Sequence, residues 1–174
     1  MAHHRKMLGD VSAPECVALM ALIATQSQRT LEKWAVEYAA EGCLPIFERE
    51  YPEAGIMRGA VEGCLAYMAG SIKLKELKPL IAEARKLAAE TRGEAAQAAA
   101  RAVATACATA QKPTNAFGFL LYAAAAKAYA QLGTDRPQTE YDEFAAQELR
   151  SALESLERVA VKDEKSPVKI DWHC

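Results

Sequence analysis

Alanine dominates one long stretch of this chain. Of the 37 residues from 94 to 130, 17 are alanine. Alanine has the highest intrinsic helix propensity, and its short side chain lets helix axes approach toward the low end of the usual range of about 8–10 Å. Pro113 divides the stretch, because proline cannot continue a helix. The tract therefore predicts two closely packed helices at the centre of the fold.

Five further helical patterns occur in the rest of the chain, most of them with the apolar spacing of a helix that buries one face. They begin near Pro14, Thr30, Ile56, Lys75 and Glu140. The second is interrupted at Pro45, where the helix should kink or restart, and the pair Tyr51-Pro52 should end it. The first is apolar on all sides and is therefore expected to be central to the fold.

These patterns together predict an all-α protein. No segment shows the alternation of period two that is typical of a strand. We expect about seven helices in one domain, arranged as a bundle or as an array of helical hairpins with alanine-rich central helices. The domain should span residues 12–161, after a flexible leader (1–11) and before a surface tail (162–174) that is polar apart from Ile170 and Trp172.

The charge balance and the cysteines restrict the partners and the compartment. The chain has 21 basic and 23 acidic residues, which argues against a nucleic-acid partner and against a polybasic membrane anchor. Its longest apolar run, residues 16–24, is far shorter than the roughly twenty residues of a membrane span, and no convincing cleavage site follows it. Five cysteines without a CxxC pair indicate reduced, buried thiols. We therefore expect a cytoplasmic protein.

The sequence offers no recognisable catalytic or metal-binding arrangement. Its three histidines lie in the terminal segments, and neither HExxH nor a glycine-rich phosphate loop occurs. Glu37 and Glu41 lie one helical turn apart, but such pairs usually belong to a solvated face. His173 and Cys174 could together hold a stray metal ion, although a free terminus is the better interpretation. We predict no catalytic residues, no metal, no cofactor and no enzymatic activity.

Four residues around the break at Pro45 are candidates for binding a partner or a ligand. Glu48 follows the break, and the next helix carries Arg58 and Glu62 one turn apart. With Trp34 from the preceding helix, they could form a polar pocket or a charged rim with an aromatic floor. An aromatic residue beside an arginine suits a protein-binding hot spot. The alternative is a salt-bridge network that joins the two helices, with Trp34 in the core.

Several short elements, spread over residues 31–129, resemble one protein family. They are Trp34-Ala35, Leu44-Pro45-Ile46-Phe47-Glu48, Tyr51-Pro52, Arg58, Tyr67-Met68-Ala69-Gly70 and Ala104-Thr105-Ala106-Cys107. This combination resembles the all-helical Imm-five-like group of putative immunity proteins from bacterial polymorphic-toxin systems. Two positions depart from the family pattern. The turn that usually carries two arginines keeps only Arg58, and Cys107 replaces an expected histidine, so part of a polar site is missing if those groups form one.

The resemblance implies a protein that binds and neutralises a cognate toxin stoichiometrically, without catalysis. Two alternatives stay open. One is a helical scaffold or adaptor, which a large exposed apolar patch would favour. The other is a helical protein that binds a small ligand, which a pocket between Glu48, Arg58, Glu62 and Trp34 would favour. In each case the protein would be a monomer or a homodimer.

Overall fold

The computed structural model describes residues 4–172, and all of the regular secondary structure in that range is helical. The predicted all-α class is therefore confirmed. His3, His173 and Cys174 lie outside the described residues. The elements are α1 (Pro14–Ile23), α2 (Gln28–Gly42), α3 (Leu44–Glu50), α4 (Ile56–Met68), α5 (Leu74–Glu90), α6 (Glu94–Cys107), a 3-10 turn (Ala108–Ala110), α7 (Asn115–Leu132) and α8 (Gln138–Val159).

The alanine tract forms α6, the 3-10 turn and α7, which lie at the centre of the fold. Helix α6 packs against α2, α3, α4, α5 and α7, and nine of its 14 residues are buried. Helix α7 packs against α6 and α8 and buries ten of its 18 residues. Small side chains on several faces of α6 make this possible, because neighbouring helices can approach from different directions. The prediction of central alanine-rich helices is confirmed.

The chain restarts its helix at the expected break. Helix α2 ends at Gly42, and α3 begins at Leu44 with Pro45 in its first turn. Proline is tolerated at that place, because the first amide groups of a helix have no partner within the helix. The second predicted helix is thus two helices, which brings the number of α-helices in the described residues to eight.

The prediction that the first helix is central is wrong. Helix α1 lies at the periphery, against α7 and α8, and buries only Cys16, Leu19 and Ile23. Val17 is 52% exposed. An apolar sequence on all sides makes a helix suitable for the centre, but here the two alanine-rich helices occupy that place. Helix α1 therefore covers one face of α8, and the other face of α1 is open to solvent.

Both terminal segments contact the helical domain in the part of the chain that the structure describes. In the leader, Leu8 is buried and its amide donates to the carbonyl of Leu121 at 3.1 Å. In the tail, the Glu164 carboxylate accepts hydrogen bonds at the start of α2, and Trp172 packs edge-on against Phe117. These contacts join the ends of the chain to α2 and α7.

One hydrophobic cluster includes residues from all eight helices, so the described chain forms a single domain. Four of its members, Cys16, Cys43, Cys64 and Cys107, are buried free thiols. None of the described helices combines the length and the apolar character that a bilayer span requires.

Candidate functional site

Glu48 and Arg58 form an ion pair across the turn between α3 and α4. Arg58 donates from Nε to Glu48 Oε2 at 2.9 Å and from Nη2 to Glu48 Oε1 at 2.5 Å. The Glu48 side chain is 26% exposed and the Arg58 side chain is 56% exposed, so this bidentate pair lies on the surface. The hydrogen bonds from Arg58 hold the pKa of the Glu48 carboxyl below its ordinary value. The pair fixes the direction of two charges on a solvent-facing part of the molecule.

Glu62 lies one turn further along α4 and is exposed. The pKa of the Arg58 guanidinium is raised mainly by its hydrogen bonds to Glu48. The negative charge of Glu62 raises this pKa further. The structure therefore brings these three residues into one charged surface on α3 and α4. We call it the α3–α4 charged surface.

Trp34 lies elsewhere, between α2, α7 and α8. Its indole Nε1 donates to Ser155 Oγ at 2.9 Å, and its ring packs edge-on against Phe119 with centroids 5.5 Å apart. It is only 5% exposed, yet it forms the floor of a cleft of about 230 Å3 between α2 and α8. Lys33 and Glu37 line this cleft. The structure thus gives Trp34 a charged rim, but one that does not include the α3–α4 charged surface.

A second ion pair, which the sequence analysis missed, lies half-buried between α2, α7 and α8. Lys127 and Tyr38 both donate hydrogen bonds to Glu148 Oε1, and the ammonium group of Lys127 lies 4.5 Å from the centre of the Tyr38 ring. Burial, followed by the charge of Glu148, raises the pKa of the Tyr38 hydroxyl, which keeps it a hydrogen-bond donor. A lone lysine among the alanines of α7 is the signal that could have indicated this cluster.

Glu32 is a further residue that the sequence analysis missed. It is 3% exposed, and its Oε1 has no hydrogen-bond partner among the described residues. Burial raises the pKa of its carboxyl to about 7, although the positive charge of Arg29 opposes the shift. Glu32 lines an open cleft of about 430 Å3 between α2 and α4. Its position directly after Leu31 and four residues before Val36 puts it inside the buried face of α2, and that spacing could have revealed it.

No group of three or more histidine, cysteine, aspartate or glutamate residues within residues 4–172 is arranged to hold a metal ion. Lys33 and Glu37 line the cleft between α2 and α8, whereas Arg29 and Glu32 line the cleft between α2 and α4, so the titratable residues of the two clefts form separate sites. The arrangement is therefore one of isolated charges and charge pairs on a helical frame.

Comparison with known proteins places the chain in a family. A family model described as "Imm-5 like putative immunity protein" matches residues 21–168. The chain belongs to this family. No curated protein and no solved structure matches the chain significantly.

The family model matches a longer part of this immunity-family member than residues 31–129, where the sequence analysis found the resemblance. The match begins in α1 and ends at Val168, whose amide donates to the Gln26 carbonyl at 2.9 Å. It therefore includes the contact between the tail and the loop before α2. Cys107, one of the two departures from the family pattern, is fully buried, and its carbonyl accepts a hydrogen bond from the Cys64 thiol at 3.7 Å. In this family member, position 107 is occupied by a residue of the core.

Proposed function

We propose that this protein neutralises a cognate toxin by binding it stoichiometrically, without catalysing a reaction. Membership of the immunity family over residues 21–168 is the observation that carries this proposal. The physical features agree with it, because a rigid frame with fixed surface charges can recognise a partner through complementary charge and shape. Little free energy is then spent on ordering the surface.

Two surfaces are proposed as contacts with the toxin. Glu48, Arg58 and Glu62 form the α3–α4 charged surface, where the bidentate pair holds its side chains in one geometry before binding. Trp34 forms the floor of the cleft between α2 and α8, where a side chain of the toxin can pack against the indole. Charges at a rim mainly increase the rate of association, whereas a buried aromatic anchor mainly slows dissociation.

Co-expression with a candidate toxin encoded near its gene tests this function. We expect growth to be restored and the purified proteins to form a complex of fixed composition. Stepwise induction separates binding from catalysis, because a stoichiometric inhibitor stops protecting once the toxin exceeds it. Protection by a large molar deficit of this protein would contradict the non-catalytic part of the proposal. Cell death despite abundant folded protein would contradict the immunity function itself.

Arg58→Glu tests the proposed surface, and Lys86→Glu on the exposed face of α5 is its control. Both substitutions change the net charge equally. We expect Arg58→Glu to weaken protection and Lys86→Glu to leave it unchanged. Equal effects of the two variants would show that the α3–α4 charged surface has no particular role.

One observation favours a second function, which is the binding of a small ligand. The unpaired carboxyl of Glu32 borders a cleft whose volume falls within the range of about 300–1,000 Å3 that is usual for small-molecule sites. Capture of a stoichiometric toxin partner would favour the first function, and isolation of the protein alone would favour the second.

A further inference from the structure

The cleft between α2 and α4 contains a polar group that the fold does not satisfy. Glu32 is almost fully buried, and its Oε1 accepts no hydrogen bond from the described residues. Burying a carboxylate without a partner is costly, and a folded protein normally avoids it. A strongly perturbed acidic group that borders a cleft is a candidate for a functional site. The unsatisfied oxygen is therefore a candidate contact for a ligand in the cleft.

The neighbours of Glu32 supply acceptors and an aromatic ring. Gln28, one turn earlier on α2, donates from Nε2 to the carbonyls of Thr109 and Ala110 at 3.0 and 2.7 Å. Because both of these bonds use the amide nitrogen, Gln28 Oε1 is directed away from these carbonyls and is available as an acceptor. Tyr67 and Met68 of α4 form another part of the lining.

The charge of the cleft selects the class of ligand. An anion would be repelled by Glu32, and a purely apolar ligand would leave the carboxylate unpaired. A single carboxylate is also a poor site for a metal ion, which needs several ligands. A cationic head group satisfies Glu32, can approach the face of the Tyr67 ring, and can place its aliphatic stem against the polarisable sulfur of Met68.

The protein's own nearest cation does not fill this place. Arg29 lies on α2, three residues before Glu32, and is exposed at the edge of the cleft. No ion pair joins it to Glu32 in the described residues. Its charge acts on Glu32 without satisfying the buried oxygen, so the ionised carboxylate can still pair with a ligand cation.

We propose that the cleft between α2 and α4 binds the ammonium or guanidinium head of an aliphatic chain, with Glu32 as its counter-ion. Such a group occurs both in free amines and in the lysine and arginine side chains of a partner protein. The inference does not depend on the proposed immunity function, since it follows from the unsatisfied carboxyl and the lining of the cleft.

Titrations followed by nuclear magnetic resonance test this site on the whole protein at pH 8, where Glu32 is ionised. The probes are n-butylammonium chloride and ethylguanidinium chloride. Sodium chloride at equal ionic strength and n-butanol serve as controls for charge screening and for the apolar stem. We expect saturable shifts at the Glu32 side chain and at Tyr67, with half-saturation at millimolar concentration, and no such shifts with the controls.

Glu32→Gln should weaken binding at least about tenfold, since it removes the charge-assisted hydrogen bonds while keeping the shape. Glu83→Gln, which removes an exposed charge on α5, should leave binding unchanged. If Glu32→Gln does not fold, Tyr67→Leu provides the second variant and should weaken binding several-fold. The absence of saturable shifts up to about 100 mM would overturn the proposal. Equal binding by the wild type and Glu32→Gln would overturn it too, and so would binding that appears only after Arg29→Ala.

A further titration separates the two sources of the cation. Nα-acetyl-lysine-N-methylamide carries the same ammonium group on a peptide backbone. Binding as strong as that of n-butylammonium supports the site and indicates a protein side chain as the ligand. Weaker binding than n-butylammonium supports the site and indicates a free amine. No toxin is used, so a negative result here leaves the test of neutralisation independent.

Discussion

Among single residues, Glu32 should make the stability of this protein depend on pH. Its pKa is about 7 in the folded chain, compared with an ordinary value of 4.5. The folded state therefore holds the proton more tightly than the unfolded state does. The resulting stabilisation is complete below about pH 4.5 and is lost as the pH rises through about 7. Arg29 of α2 faces this carboxyl, as do Cys64 and Tyr67 of α4.

Glu32→Gln tests this linkage, because glutamine keeps the shape but cannot ionise. We expect the free energy of unfolding of the variant, relative to the wild type, to rise between pH 4.5 and pH 7.5. The rise should be about 1–2 kcal/mol, less than the full pKa shift implies, since local relaxation around a buried carboxylate lowers the penalty for ionising it. Urea unfolding at several pH values measures it, with Glu83→Gln as control. A difference that stays constant with pH would contradict the prediction.

The pair of Glu48 and Arg58 should matter for recognition and not for folding. Both side chains are accessible to solvent, so each can be hydrated when the other is absent. We expect Arg58→Ala to leave the thermal midpoint almost unchanged and to slow association with the toxin. The slowing should diminish at high salt, because it comes from a screened surface charge. Stopped-flow association at two salt concentrations measures it, and a large fall in the midpoint would point to a structural role instead.

Among the elements, α2 depends on a residue far away in the sequence. The Glu164 carboxylate accepts hydrogen bonds from the Ser27 amide and hydroxyl and from the Thr30 hydroxyl, each at 3.0 Å. The hydrogen bond from the Ser27 amide is the main cause that lowers the pKa of Glu164. A negative charge here also interacts favourably with the dipole of the helix.

Glu164→Ala should therefore lower the free energy of unfolding by about 1 kcal/mol at neutral pH, which is typical of a lost helix cap. Because the folded pKa of Glu164 is depressed, its contribution is present above the unfolded value near 4.5 and disappears as the pH falls through the folded value. Glu157→Ala, on the exposed face of α8, is the matched control. Equal effects of the two substitutions at neutral pH would show that Glu164 does not stabilise the start of α2.

The same elements show how far the sequence could predict this structure. Alanine content and Pro45 act locally, so the central helices and the restart of the chain could be anticipated. The peripheral place of α1 could not, because apolar periodicity describes a helix face and not the number of its neighbours. The contact of Glu164 with Ser27 spans 137 residues and has no local signal.

Within the candidate site, the same distinction applies. Glu48 and Arg58 are ten residues apart and separated by one turn, so their approach could be foreseen. The surroundings of Trp34 depend on α8, whose Ser155 is 121 residues away. No pattern within α2 indicates which helix will cover that indole. The sequence analysis therefore predicted Trp34 as a floor beneath Glu48, Arg58 and Glu62, whereas in the structure α8 covers it.

At the scale of the whole molecule, the alanine-rich centre should make the fold rigid. Alanine side chains end at Cβ and have no alternative rotamers. The helices around α6 can therefore shift only if their backbones move. Rigid partners usually bind with small backbone shifts. The free structure is therefore a fair guide to the surface that a toxin would meet, provided that the centre tolerates little change.

Ala99→Leu tests that intolerance at a fully buried position of α6. Five helices pack against α6, so the added side chain should force them apart, and we expect a loss of about 1–3 kcal/mol in the free energy of unfolding. Ala82→Leu makes the same substitution on the exposed face of α5 and should have little effect. Urea unfolding of both variants gives the comparison. If Ala99→Leu were as stable as Ala82→Leu, the centre would contain unfilled space or would rearrange readily, and the free structure would no longer be a sound guide to the bound surface.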